Sequence, residues 1–240
     1  MAAILSAGRG IRIAGWMMVA LAAACGNADG RTPPDARAEG ASPSPQSEAA
    51  DLAQVTVRGV TGNYDLGDYF ITGEVVNGLD VPIYDVELEV VYRGAGGAEL
   101  AREDAAAVLV RVEPGGTAPF ADTRYAAPEG ITAREVAVTK FSRQGLDYRP
   151  LAISNVQSRA GITGAVVTGQ ARNDAGVPLN SIKLVTSFRN AAGEVTGVFF
   201  DYPVTGTMAP GQTVDFTVET MDDSVAGDSV TVQGEGQARR

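Results

Sequence analysis

Displaced by 96 residues and laid on itself without a gap, the chain matches at 14 of the 53 positions from 72 to 124. Thr72-Gly73 falls on Thr168-Gly169, Asn77 on Asn173, Val81-Pro82 on Val177-Pro178 and Leu88 on Leu184. Further on, Arg93 falls on Arg189, Gly97 on Gly193, Pro114-Gly115 on Pro210-Gly211 and Phe120 on Phe216. The shared residues are turn formers and alternating apolar positions, which specify a backbone and not a reaction. A period this long in a chain of 240 residues predicts two domains of similar size, spanning 51–142 and 147–235. Each is long enough to bury a core of its own, with a hinge expected between Ser142 and Pro150.

Within each copy the apolar period is two. Val86, Leu88, Val90 and Tyr92 share one face of a strand, with Glu87, Glu89 and Arg93 on the other. The second copy places Ile182, Leu184, Thr186 and Phe188 inward, and Lys183, Ser187 and Arg189 outward. That alternation marks strands with one wet face. Other strands are predicted in the first copy at 55–60, 69–77, 106–112, 117–123 and 135–141. In the second they fall at 151–156, 165–173, 196–204, 213–220 and 229–233. Short strands at this spacing, without a helical period, predict an all-β chain of two tandem immunoglobulin-like antiparallel β-sandwiches.

The N-terminus reads as an export signal. Arg9 and Arg12 precede an apolar run of 12 residues, Ile13 to Ala24, which is too short to span a bilayer as a mature helix. The run ends in Leu21-Ala22-Ala23-Ala24-Cys25-Gly26, which resembles the lipobox of bacterial lipoproteins, although that motif favours Leu where Ala22 stands. The resemblance implies a diacylglycerol on the Cys25 thiol, the only cysteine of the chain. Cleavage after Ala22-Ala23-Ala24 by an ordinary signal peptidase is the alternative. Residues 26 to about 50 hold no aromatic, Val, Ile, Leu or Phe, so they cannot offset the entropy of ordering and read as a disordered tether. A flexible coil of that length spans roughly 25–30 Å. These features place the chain in the bacterial cell envelope, held to a membrane through Cys25.

The paired stretches also resemble the FxLYD family of bacterial envelope domains. They are Gly73-Glu74-Val75-Val76-Asn77, Val81-Pro82, Tyr92-Arg93 with Gly97, and Val112-Glu113-Pro114-Gly115 through Phe120, each echoed in the second copy. Arg93 and Arg189 stand where that family carries Asp. The resemblance implies β-sandwich modules of exported or lipid-anchored proteins, usually without an assigned activity.

Chemistry is sparse. The chain has no histidine, which removes His-based nucleophilic machinery and most zinc or copper sites. A net charge of −10 with only two lysines repels phosphate backbones, so nucleic acid is excluded as a partner. No cofactor fingerprint or metal motif is present, and a non-catalytic binding or spacer module is the expectation, its partner an envelope protein or a glycan. Two acidic loops offer the oxygen ligands calcium prefers, one with Asp65 and Asp68 and one with Asp222, Asp223 and Asp228. Tyr64, Tyr69, Tyr125 and Tyr148 are the aromatics available to stack a sugar, the reading that goes with a calcium- or glycan-binding adhesion protein. The copies differ most at 62–69 against 158–165 and at 122–130 against 218–226, so function is expected on those loops.

Overall fold

In the computed structural model the fourteen strands among the described residues are all antiparallel where they pair, and the bounds of matched strands repeat closely with the same displacement of 96 as the sequence. The structure describes residues 50–239 except 163, 221–224 and 226–228. Cys25, the export signal, the tether, and Asp222, Asp223 and Asp228 lie outside the described residues.

The first copy runs β1 (Val55–Asp65), β2 (Asp68–Asn77), β3 (Ile83–Arg93), β4 (Glu99–Ala106), β5 (Arg111–Val112), β6 (Thr117–Arg124) and β7 (Ala133–Ser142). The second runs β8 (Tyr148–Pro150), β9 (Ala152–Ala160), β10 (Ala165–Arg172), β11 (Leu179–Arg189), β12 (Val195–Asp201), β13 (Thr213–Glu219) and β14 (Ser229–Ala238). Strands β3 and β11, and β7 and β14, are offset by 96 at both ends. Each copy has two sheets. The first has β1-β2-β6 and a sheet in which β3 pairs β4, β5 and β7; the second has β9-β10-β13 and β12-β11-β14-β8.

The alternation read from the sequence does set the core. Val86, Leu88, Val90, Tyr92, Ile182, Leu184, Thr186 and Phe188 are all buried. Phe120 and Phe216 are buried too, and each lies directly across from a glycine, Gly73 and Gly169. A methyl group at Gly73 would meet the Phe120 ring at 2.6 Å, and one at Gly169 would meet Phe216 at 2.5 Å. The mid-strand glycines therefore make room for a ring that crosses their strand. Asn77 and Asn173 are fully buried and serve the backbone. Asn77 Nδ2 donates to the carbonyls of Val81, Val112 and Glu113 while its Oδ1 accepts from Leu79 N; Asn173 repeats this with Val177, Met208 and Ala175. Gly97, Gly193, Gly115 and Gly211 all have φ between 68° and 81°, as their turns require.

Two expectations need correction. The strand placed at 106–112 is instead β4 over Glu99–Ala106 followed by the two-residue β5; β4 turns Ala101, Glu103 and Ala105 toward the core and so carries no large apolar alternation to mark it. Lys183, Ser187 and Arg189 are not on a wet face. Ser187 is 2% exposed, and Val185 beside it belongs to the apolar cluster of the first copy.

That face of β11 is covered by the outer face of β1-β2-β6. Glu74 on β2 is buried between Arg58 at 2.9 Å and Arg189 of the second copy. Thr61 and Thr72 both donate to the Val195 carbonyl, and Gln233 Nε2 donates to the Thr117 carbonyl at 2.7 Å. Glu235 takes the Val110 and Arg111 amides at 3.0 and 3.2 Å and the Lys183 ammonium at 3.1 Å. The joint is thus built on buried, compensated charge. The segment expected to be a hinge is held at both ends, by an Arg143–Asp51 ion pair and by Ala238 N donating to the Asp147 carbonyl. Tyr148–Pro150 then pairs with β14.

Candidate functional site at the loop end of the first copy

Strands β1 and β2 meet in a two-residue turn, Leu66-Gly67, with φ of 49° and 91°. Asp65 and Asp68 flank it as a cross-strand pair. Asp68 Oδ1 accepts from Ala126 N at 2.8 Å, and Ala127 N donates to the Gly67 carbonyl at 3.0 Å. Tyr64 ties the same two loops together: its hydroxyl donates to the Pro128 carbonyl at 2.5 Å and accepts from Ile131 N at 3.1 Å. Loops 62–69 and 122–130, where the copies diverge most, therefore form one braced lid at one end of the sandwich. Asp68 is a strut in it. Among the described residues no three Asp, Glu, His or Cys groups come together as a metal would need.

Beneath this lid the core ends in charge. Tyr69 on β2, Tyr92 on β3, Glu103 on β4, Asp122 and Arg124 on β6 and Arg134 on β7 occupy core-facing or core-edge positions there. Tyr92 pairs across its strand with Arg134, Val90 with Glu103, Ile71 with Asp122, and Tyr69 with Arg124, so strand register alone gathers the group. The Tyr69 and Tyr92 rings meet edge to face with centroids 5.5 Å apart, and Tyr64 stands against Tyr69 at 4.9 Å. Arg124 Nη1 donates to Glu103 Oε2 at 3.1 Å; Arg134 donates to the Tyr69 hydroxyl at 3.4 Å and to the Val60 carbonyl at 3.1 Å.

Four polar atoms of this group are buried without a protein partner: the Tyr92 hydroxyl, Glu103 Oε1, Arg124 Nε and Arg134 Nε. The Tyr92 hydroxyl lies beside Glu103. Burial first, and then Glu103, pushes its phenol well above the usual range. Burial likewise raises the Asp122 carboxyl, with Glu103 adding to the rise while the Thr123 amide and Arg124 oppose it.

The second copy shows what this end of the framework looks like when it is only structural. Displacement by 96 puts Ala165 at Tyr69, Phe188 at Tyr92, Phe199 at Glu103, Val218 at Asp122, Thr220 at Arg124 and Val230 at Arg134. There Phe188 and Phe199 stack edge to face at 5.8 Å in an apolar core. Sequence reasoning missed the charged group, since no motif marks it. The signal that would have found it was the comparison of the copies at core-facing positions and not only at loops.

Of the tyrosines weighed for stacking, Tyr69 is core, Tyr64 is 42% exposed at the lid, Tyr125 is 76% exposed beside it, and Tyr148 is half-buried in β8. The exposed pair Phe200 and Tyr202, centroids 6.1 Å apart, escaped the sequence reading. A cleft of about 620 Å³ opens next to the lid, between Asn63, Phe70 and Thr123 of the first copy and Val198 and Phe199 of the second.

No family model matches the chain, and no curated protein does. Among solved structures, red sea bream transglutaminase aligns at 10% identity and a TM-score of 0.21, over 81% of this chain and 28% of the other. The secreted serine protease VesC from Vibrio cholerae aligns at 12% and 0.21, over 80% and 48%. The tandem CBM22-1-CBM22-2 domain of Paenibacillus barcinonensis Xyn10C aligns at 10% and 0.16, over 78% and 87%. The chain thus spans less than half the length of the first two. Likeness at these TM-scores carries no argument about fold or function.

Proposed function

We propose that this is a lipid-anchored protein of the bacterial cell envelope whose two immunoglobulin-like, FxLYD-like modules act as a non-catalytic binding unit held off the membrane by a flexible tether. The observation that carries the binding part is the charged, under-partnered end of the first core. A fold that builds the same end from Phe188, Phe199, Val218 and Val230 has no structural need of Glu103, Asp122 and Arg134. Charge at a core position, where the matching module packs apolar residues, is where a natural framework departs from its own rules for the sake of function. The lid above it is drawn from the most divergent loops, which is where a rigid sandwich carries recognition.

The anchor rests on Ala22-Ala23-Ala24-Cys25-Gly26 and on the tether that follows. Firm residence follows from acylation with more than one chain, at about 0.8 kcal/mol per buried methylene. Metabolic labelling with a palmitate analogue tests it. The wild type should be tagged and sediment with membranes, and Cys25→Ser should be untagged and released or unprocessed. A soluble, untagged mature wild type would overturn the anchor and favour cleavage after Ala24.

A further inference from the structure

We infer that the free edge of β12 captures an extended peptide segment that alternates apolar and basic residues, which joins the β12-β11-β14-β8 sheet as a further strand. This surface is separate from the charged end of the first core and does not depend on it.

Strands β4 and β12 hold the same place in the two copies. Each lies at one edge of its sheet, with β3 or β11 as its strand partner. An edge strand offers unpaired N–H and C=O groups to any strand that meets it, and natural proteins blunt such edges with charge. Strand β4 is blunted in this way: Arg102 stands between Glu89 and Glu99, with Asp104 exposed beside it. Strand β12 is not. It reads Val-Thr-Gly-Val-Phe-Phe-Asp, and Phe200 on it is 58% exposed. Tyr202, just past its end, is 54% exposed and meets Phe200 edge to face at 6.1 Å. The Val195 carbonyl is taken by Thr61 and Thr72 of the first copy, so the open stretch begins after it. Among the described residues the backbone of 197–201 bonds only to β11.

The surroundings say what the added strand carries. Val198 packs toward the first copy's core and Phe199 toward the second's, and a cleft lies beside each. The cleft of about 620 Å³ brings Phe70 and Thr123 near Val198, and one of about 480 Å³ lies between Phe199 and Val218. Side chains alternate across a strand, so successive residues of an added strand enter first one cleft and then the other. Asp65 and Asp122 line the larger cleft, Asp201 and Glu219 the smaller, and among the described residues no Lys or Arg lines either. Apolar walls with carboxylates and no cation select apolar residues interleaved with Lys or Arg. A second copy of this chain would bring its own Asp201 and Glu219 and a net charge of −10 to the same edge. The tether, without Val, Ile, Leu or Phe, has nothing to fill the clefts.

Two-dimensional amide NMR with hydrogen exchange on the full mature chain reads this directly, with the capped peptide Lys-Val-Lys-Val-Lys-Val-Lys as probe and the same peptide with Glu for Lys as control. The basic peptide should shift the amides of 195–202 and slow exchange at amides within 197–201 by about tenfold. Phe200→Lys and Asp201→Lys together, both at exposed positions, blunt the edge as β4 is blunted and should weaken binding by about tenfold, with folding intact by amide dispersion. Shifts confined to other surfaces, binding without slowed exchange, or unchanged affinity in the double variant overturn strand addition at β12. Equal binding by the acidic peptide overturns the basic partner. Binding of neither peptide overturns the inference as a whole, and if the wild type then dimerises while the double variant stays monomeric, the occupant of the edge is a second copy.

Discussion

Tyr69, Tyr92, Glu103, Asp122 and Arg134 close one end of the first core, while Ala165, Phe188, Phe199, Val218 and Val230 stand at the same five positions of the second. The strands that carry these positions, β2, β3, β4, β6 and β7, have counterparts in β10, β11, β12, β13 and β14, so the difference there is one of chemistry and not of fold. Desolvating two carboxylates and two guanidinium groups costs stability that an apolar end does not, and hydrogen bonds offset that cost only where every polar atom finds a partner. Four such atoms here do not find one in the protein.

A second pair of regions runs the other way. The outer face of β3 presents Glu87, Glu89 and Arg93, which pair with Lys140, Arg102 and Glu135 at the surface. The equivalent face of β11 presents Lys183, Val185, Ser187 and Arg189, and it is buried against the first copy. Each copy has an outer β3-type face, yet only the second has the residues to be covered. Glu89 and Glu87 on the free face replace Val185 and Lys183, and burying them would leave carboxylates without partners.

What the copies share should respond equally in both. Truncating Phe120 or Phe216 to Ala should cost about 3–5 kcal/mol each by chemical denaturation, because each ring fills the space its glycine partner leaves. A loss under about 1 kcal/mol at either would place that ring outside the core. What they do not share should respond in one place only. Glu235→Ala strands Lys183 and two amides in the joint and should cost on the order of 3 kcal/mol, whereas Thr139→Ala, at the matching position of β7, should stay within about 0.5 kcal/mol. Equal small effects would mean that the joint contributes nothing to stability.

A smaller effect sharpens the comparison at the charged end. Because burial, with Glu103 adding to it, raises the Asp122 carboxyl, the native state binds that proton more tightly than the unfolded chain does. The contribution of Asp122 is thus fully present below the unfolded aspartate value near pH 3.9 and is lost as pH rises through the raised native value. Asp122→Asn should flatten the pH dependence of stability above about pH 4 and leave the protein no less stable at pH 7. A steeper dependence in the variant would contradict the burial argument. Val218, the counterpart in the second copy, does not titrate.

The fold was legible where residue types alternate. Val86 to Tyr92 and Ile182 to Phe188 announce their faces, and the paired turns at Pro114-Gly115 and Pro210-Gly211 announce their bends. Strand β4 was not legible, and for the same reason that the site was not. Its inward residues are Ala101, Glu103 and Ala105, so the strong apolar period that marks a strand vanishes where small and charged residues replace large apolar ones. Lys183 and Arg189 read as wet because charge ordinarily faces solvent. Glu74 of the covering sheet and Glu235 of the neighbouring strand β14, placed to meet them, make their burial tolerable. In the acidic loop at Asp65 and Asp68, the Asp68 carboxylate braces the lid by accepting from Ala126 N.

The central claim is that the charged end of the first core is kept at a cost in stability. The most direct test writes the second copy's residues into the first, as Tyr92→Phe, Glu103→Phe, Asp122→Val, Arg124→Thr and Arg134→Val together, and measures the unfolding free energy by denaturant titration at pH 7. Replacing a buried ionic group by packed apolar residues of similar volume is often neutral or stabilising by about 1–4 kcal/mol, and the grafted chain should unfold at a denaturant midpoint equal to or above that of the wild type. A grafted chain that folds but has lost more than about 2 kcal/mol would contradict the claim, because it would show that these charges hold the sandwich together.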